Sequence, residues 1–189
     1  MIVDVHSHLD HELFKDDLDL VIENAKKAGV VKILTSGVNP ESNRKAIELS
    51  KKYDIVEASL GLYPIDALIK EIQFENGYRT QPFNVDEELE FISRQSPIAF
   101  GEAGLDYHWI SDKKKEMKEV FAKVIATVEK LNCPIIIHSR KAESDCVDML
   151  ESSNIKHVVM HCFNGNFKLI KRCVNKGWYF TVPTNIVRL

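Results

Sequence analysis

The 189 residues predict an α/β fold in which parallel strands alternate with covering helices. Three observations carry this expectation. Short aliphatic runs recur at residues 2–6, 31–36, 55–60, 98–102, 134–138, 157–161 and 178–182. Most are continuously apolar, as strands buried on both faces are. Helical patterns fill the gaps, and strand starts are spaced by about 20 to 45 residues, which suits βα units with right-handed crossovers.

The first run, Ile2-Val3-Asp4-Val5, leads straight into His6-Ser7-His8. Residues 16–28 form the first expected helix, which stops at Gly29, a residue suited to the turn after a helix. In Asn39-Pro40-Glu41 an N-cap is followed by proline at the first helical position and an acid in the first turn. The third strand runs into Gly61-Leu62-Tyr63-Pro64. Only one connection is long: residues 64–85, with a polar stretch at 75–81, read as an inserted loop beside the site. Residues 86–93 give a short helix. Residues 112–131 give a longer one, with Met117, Val120, Phe121, Val124, Val128 and Leu131 on one face. Residues 142–150 and Phe167–Asn175 complete the set.

Composition narrows the class. One domain over residues 1–189 is the expectation, with a 44% hydrophobic and 28% charged make-up typical of globular chains. A net charge of −3 argues against bulk electrostatic binding to nucleic acid, though not against a local basic site. No apolar stretch approaches the ~20 residues of a membrane span, so no membrane partner is expected. The N-terminus carries no export signal, and the cytoplasm is the expected compartment. The four cysteines, Cys133, Cys146, Cys162 and Cys173, have no CxxC spacing and read as reduced core residues.

The chemistry collects at strand ends. Residues two apart on a strand face the same way, so His6 and His8 lie roughly 6.6 Å apart on one face and can converge on one divalent ion. The fourth run ends in Gly101-Glu102-Ala103-Gly104-Leu105-Asp106-Tyr107. The fifth ends in His138-Ser139-Arg140 and the sixth in His161-Cys162-Phe163. In a β/α barrel such ends gather at one mouth. Any one of these residues alone reads as a satisfied core or surface group; together, His6, His8, Glu102, His138 and His161 make a metal centre. Imidazole and carboxylate ligands suit Zn, Mn, Fe or Ni, and Mg where waters complete the shell. Arg140, two residues past His138, can grip a phosphate. Asp4 reads as a partner for an imidazole, Cys162 as core, and Asp106 and Tyr107 as shapers of the turn after Glu102.

Together the motifs Asp4-x-His6-x-His8-Leu9, Gly101-Glu102-x-Gly104-Leu105-Asp106-Tyr107, Ile-His138-x-Arg140 and His161-Cys162-Phe163 resemble the TatD family of metal-dependent hydrolases, within the amidohydrolase superfamily. The resemblance runs the length of the chain. It implies a TIM-type barrel in which His6 and His8 bind one ion, Glu102 bridges to a second, and His138 and His161 complete that second site. It implies two divalent ions (Mg, Mn or Zn), a hydrolase acting on ester bonds, and DNA as the substrate. A water between two such ions is acidified and becomes a good nucleophile near neutral pH.

Two departures stand out. The family's Gly-x-His-Pro is here Gly61-Leu62-Tyr63-Pro64; Tyr63 can hydrogen-bond a phosphate oxygen but cannot act as an imidazole. The sequence also stops after about seven of eight βα units, so the barrel is expected to be incomplete. The aspartate that ends the family's eighth strand has no match here. Open edges on the first and last strands would invite a complementing C-terminal fragment or a second copy. Two rival readings remain: an amidohydrolase acting on an amide or ester bond, and a non-catalytic metal-binding fragment that needs a partner chain. Glu102, where some binuclear amidohydrolases use a carboxylated lysine, favours the nuclease-like branch.

Overall fold

Seven parallel strands in unbroken sequence order make up the sheet among the described residues. The structure, a computed structural model, describes residues 1–71, 80–183 and 186. The strands are β1 (Ile2–Ser7), β2 (Val30–Ser36), β3 (Val56–Leu62), β4 (Ala99–Asp106), β5 (Ile135–Arg140), β6 (Val158–Met160) and β7 (Tyr179–Phe180). The helices are α1 (Leu18–Lys27), α2 (Pro40–Lys52), α3 (Pro64–Ala67), α4 (Val85–Gln95), α5 (Lys114–Leu131), α6 (Glu143–Glu151) and α7 (Phe167–Asn175). Among the described residues these seven strands follow the order of a TIM-type barrel without closing it, for which eight are needed.

Strand order explains the burial. β4 has a neighbour on each side and α5 packed against it, and every one of its residues is buried. Among the described residues β1 pairs only with β2, and its first three residues are exposed. The continuous apolar runs therefore mean two-faced burial at the centre of the sheet but not at its margin. β7 is two residues long, shorter than its apolar run. The main core joins Phe100 and Ile137 of the sheet to Met117, Phe121, Val124 and Val128 of α5, the face read from the 112–131 periodicity. Each such fully buried side chain contributes about 1.5–3 kcal/mol.

Helix boundaries follow local chemistry. Asn39 caps α2 by accepting from the Ser42 N–H, and the Ser42 hydroxyl accepts in return from the Asn39 N–H, with Pro40 at the first helical position. α1 ends at Lys27, and Gly29 takes φ +87° just beyond it, where a side chain is disfavoured. The 64–85 connection begins with α3 and a 3-10 turn at Ile69–Glu71, and its residues 72–79 lie outside the described residues. No helix among the described residues is long and apolar enough to cross a membrane.

One polar network pins β3 at the site. The fully buried Asn43 of α2 donates to the Gly61 carbonyl and accepts from the Gly61 N–H, both at 3.0 Å. It also donates to Glu88 of α4 at 2.8 Å, and Arg44 pairs with the same buried carboxylate. Gly61 needs this anchoring because a Cβ there would lie 2.4 Å from the Glu102 carbonyl oxygen. Replacing Asn43 by Ala strands the two Gly61 backbone groups and takes one donor from buried Glu88, which keeps Arg44. Asn43→Ala should cost about 2–4 kcal/mol in urea unfolding. Lys45→Ala, which removes only the exposed pair with Glu48, should cost no more than about 1 kcal/mol.

Candidate metal centre

The C-terminal ends of β1, β4, β5 and β6 open on one side, as parallel order requires. The β1–β2 ladder slips between Asp4 and Ser7, so the His-x-His segment leaves regular strand geometry. Its rings nevertheless converge, with centroids 4.8 Å apart and their Nε2 atoms 3.2 Å apart. Ser36, at the end of β2, turns them inward. Its hydroxyl lies 3.2 Å from His6 Nδ1, and its carbonyl accepts from His8 Nδ1 at 3.0 Å. That fixes the His8 tautomer and directs both Nε2 atoms toward Glu102.

Glu102 sits among these imidazoles with only 5% of its surface exposed. Its Oε2 is 3.5 Å from Nε2 of both His6 and His8, and its Oε1 accepts from His138 Nδ1 at 2.8 Å. His138 in turn donates Nε2 to Asp106 Oδ2 at 2.8 Å. His161 lies over His6, with ring centroids 3.7 Å apart and planes 28° apart. His6, His8 and Glu102 offer three ligand atoms within 4.8 Å of one another. This donor set fits a divalent cation: two nitrogens and a carboxylate oxygen face one small space.

Close strand packing permits this. Gly104 of β4 is opposite His138 of β5 in the ladder. At φ +147° it has a conformation that side chains avoid, and a Cβ would lie 2.0 Å from the His138 carbonyl oxygen.

Electrostatics divide the cluster. Burial pulls the His6 pKa down to about 3, against the attraction of Glu102, so His6 is neutral with a lone pair to offer. Burial also lowers His161. For His8, burial opposes charging, but the hydrogen bond and charge of Glu102 prevail and raise the pKa above 6.5. For His138, burial is outweighed by the bonds to Asp106 and Glu102, which raise it to about 9. Burial would lift Glu102; hydrogen bonds from His138 and His8 hold it well below 4.5 instead. His138 is thus an imidazolium that donates from both nitrogens, and a cation at that position must displace its proton.

The remaining expected residues are placed as follows. Tyr63 donates its hydroxyl to Asp106 Oδ2 at 2.8 Å and packs edge-on against the His138 ring. Arg140 is exposed, its guanidinium 5.4 Å from the Trp109 ring centroid. Asp106 does shape the turn, with Oδ1 accepting from the N–H groups of His108 and Trp109. Its contact with His138 escaped the sequence reading, although Asp106 lies four residues, two strand repeats, beyond Glu102. Asp4 accepts from the backbone N–H of His6 at 3.1 Å, so it holds the strand end instead of an imidazole. Cys162, expected in the core, is exposed: β6 ends at Met160, and Cys162 turns out of the sheet with φ +42°, so strand alternation no longer applies. Cys146 and Cys173 are buried as expected.

The chain is similar to known proteins over nearly its whole length. The family model described as TatD related DNase matches residues 3–188. An uncharacterized metal-dependent hydrolase of Bacillus subtilis, YabD, is 34% identical over 187 residues, covering 96% of this chain and 68% of the relative. The human deoxyribonuclease TATDN3 is 30% identical over 194 residues, covering 99% of this chain and 69% of the relative. Among solved structures, the TatD homologue YJJV of Escherichia coli superposes with a TM-score of 0.79 at 22% identity, covering 95% of this chain and 66% of that one. The chain thus spans about two thirds of the length of the proteins it matches.

The bound proton on His138 gives a stability signature. Its pKa is about 9 in the fold against an ordinary 6.5. The stabilisation is therefore full below about pH 6.5 and is lost as pH rises through about 9. The lowered pKa values of Glu102 and Asp106 act only at the acid end, where their contribution disappears as pH falls through them. Urea midpoints of metal-free protein should fall between pH 6.5 and 9 for the wild type and fall less for His138→Asn, in which His8 alone keeps a raised imidazole pKa. A wild-type midpoint that does not move across this range would contradict the doubly bonded imidazolium.

Proposed function

The chain belongs to the TatD family of related DNases, and from that membership we propose that it is a metal-dependent hydrolase that cleaves phosphodiester bonds of DNA. In this reading residues 1–189 serve as one hydrolase domain, with segment 64–85 bordering the site. His6 and His8 hold one divalent ion, Glu102 reaches from it to a second, and His138 and His161 serve the second. Mg, Mn and Zn all accept such ligands.

The observation that carries the proposal is the two-sided Glu102 carboxylate. One oxygen faces the Nε2 atoms of His6 and His8 at 3.5 Å, and the other meets His138 at 2.8 Å. A single buried group thereby touches both imidazole sets. Bound divalent ions would acidify a water and neutralise charge on the phosphodiester oxygens.

The chain's own residues do the rest. Ser36 orients the two N-terminal imidazoles. Asp106 orients His138, and Tyr63 supports Asp106. We assign Tyr63 this positioning role in addition to the phosphate contact expected of it. Arg140, exposed two residues past His138, supplies a planar cation for a phosphate. The cytoplasm is the compartment implied, and four free cysteines accord with reducing surroundings.

The test is release of nucleotides from single-stranded DNA with Mg²⁺ or Mn²⁺. Release should stop with a chelator and return on adding the ion. Glu102→Ala should lower it at least about hundredfold, since its loss removes a ligand to both ions. Tyr63→Phe should lower it less, by about tenfold or under, because it removes the support of Asp106 and a phosphate contact but no ligand to an ion. Release that survives chelation, or that is indifferent to Glu102→Ala, would defeat the proposal.

A further inference from the structure

Beside the metal centre the turn after β4 presents an aromatic side chain that the proposed chemistry leaves unused. Trp109 is 58% exposed between buried Tyr107 and Ile110. An indole in solvent on a loop is ordinarily mobile; this one has a fixed base. Asp106 Oδ1 accepts from the N–H groups of His108 at 2.8 Å and Trp109 at 3.3 Å. The other oxygen of the same carboxylate holds His138 at 2.8 Å. One carboxylate therefore holds both the backbone that carries the indole and an imidazole of the centre.

One cation and one further ring flank Trp109. The Arg140 guanidinium lies 5.4 Å from its ring centroid, and His108 packs against its edge at 4.9 Å. Arg140 is opposite Asp106 in the β4–β5 ladder, and Lys141 follows it, exposed. Among the described residues neither Arg140 nor Lys141 has a carboxylate within ion-pair distance. An exposed ring on a held backbone, beside a guanidinium with no ion pair among the described residues and within one side chain of the metal centre, has the composition of a stacking platform for a polyanion that carries planar groups.

We infer that Trp109 stacks a nucleobase of a single-stranded nucleic acid while Arg140 meets an adjoining phosphate. The inference rests on the nuclease reading and deepens it by naming the residue that selects an unpaired base. Bases within a duplex stack on one another and offer no free face, so the platform favours single strands.

The experiment measures binding of a hydrolysis-resistant phosphorothioate octathymidylate in Mg²⁺, beside an abasic octamer with the same backbone and a duplex octamer. The wild type should bind the thymidylate about tenfold more tightly than the abasic strand, the scale of one stacked base. Trp109→Ala should erase that preference, and Trp109→Phe should keep most of it. A second readout is direct: of the two tryptophans, Trp178 is buried, so emission quenched by the thymidylate and not by the abasic strand reports Trp109. Equal binding of the base-bearing and abasic strands by the wild type, or a preference that survives Trp109→Ala, overturns the inference. Hydrolysis of an ordinary oligonucleotide by the same samples separates the two claims. Base-dependent binding without metal-dependent hydrolysis defeats the nuclease reading and leaves the platform; hydrolysis with no base preference does the reverse.

Discussion

The structure turns on one buried negative charge. Glu102 is nearly sealed from solvent, and a carboxylate in such a place is untenable without cationic or hydrogen-bonding partners. Three imidazoles answer it, His138 directly and His6 and His8 slightly further off. In the metal-free chain the positive charge comes from a proton on His138, clamped between Glu102 and Asp106. A divalent ion would satisfy the same carboxylates. Proton and metal are thus rivals for one electrostatic role, and the site is pre-organised around the charge, whichever cation supplies it.

Holding that charge in place dictates much of the surrounding packing. β4 carries Glu102 and Asp106 on the most enclosed strand of the sheet, where solvent cannot screen them. The strand is made of small residues at the points of closest approach: Gly104 lies against the His138 backbone, and Gly61 of β3 against the Glu102 backbone. A further polar network, Asn43 with Gly61 and Glu88, ties β3 to helices on the outer layer. Such satisfied buried networks rigidify what they join. The loop after β4 inherits this rigidity through Asp106, which is why an exposed residue such as Trp109 can have a fixed base.

Much of this was legible beforehand. The alternation of apolar runs and helical faces gave the order of elements, since strand and helix periods are local properties of the chain. The α2 start followed from Asn39 and Pro40, whose side chains act on their own neighbours. His6, His8, Glu102, His138 and His161 were picked out because parallel strands bring their C-terminal ends to one side. What escaped were contacts decided by where a strand stops. Cys162 follows His161 and looked inward by alternation, yet β6 had already ended. Asp106 looked like a turn residue and proved to serve the turn with one oxygen and His138 with the other. Tyr63 offered a hydroxyl for a phosphate, and that hydroxyl donates to Asp106.

The sequence by itself determined the class of fold, the family and the residue types of the centre, because these reside in local periodicity and in side-chain chemistry. Only the tertiary structure decided how those groups are charged and which way they face. Burial makes His6 neutral while two carboxylates make His138 cationic, although both are histidines at strand ends. The reason is physical. Charge state and orientation depend on distances between strands, and these are set by register and by how closely glycines let backbones approach, neither of which any single segment encodes.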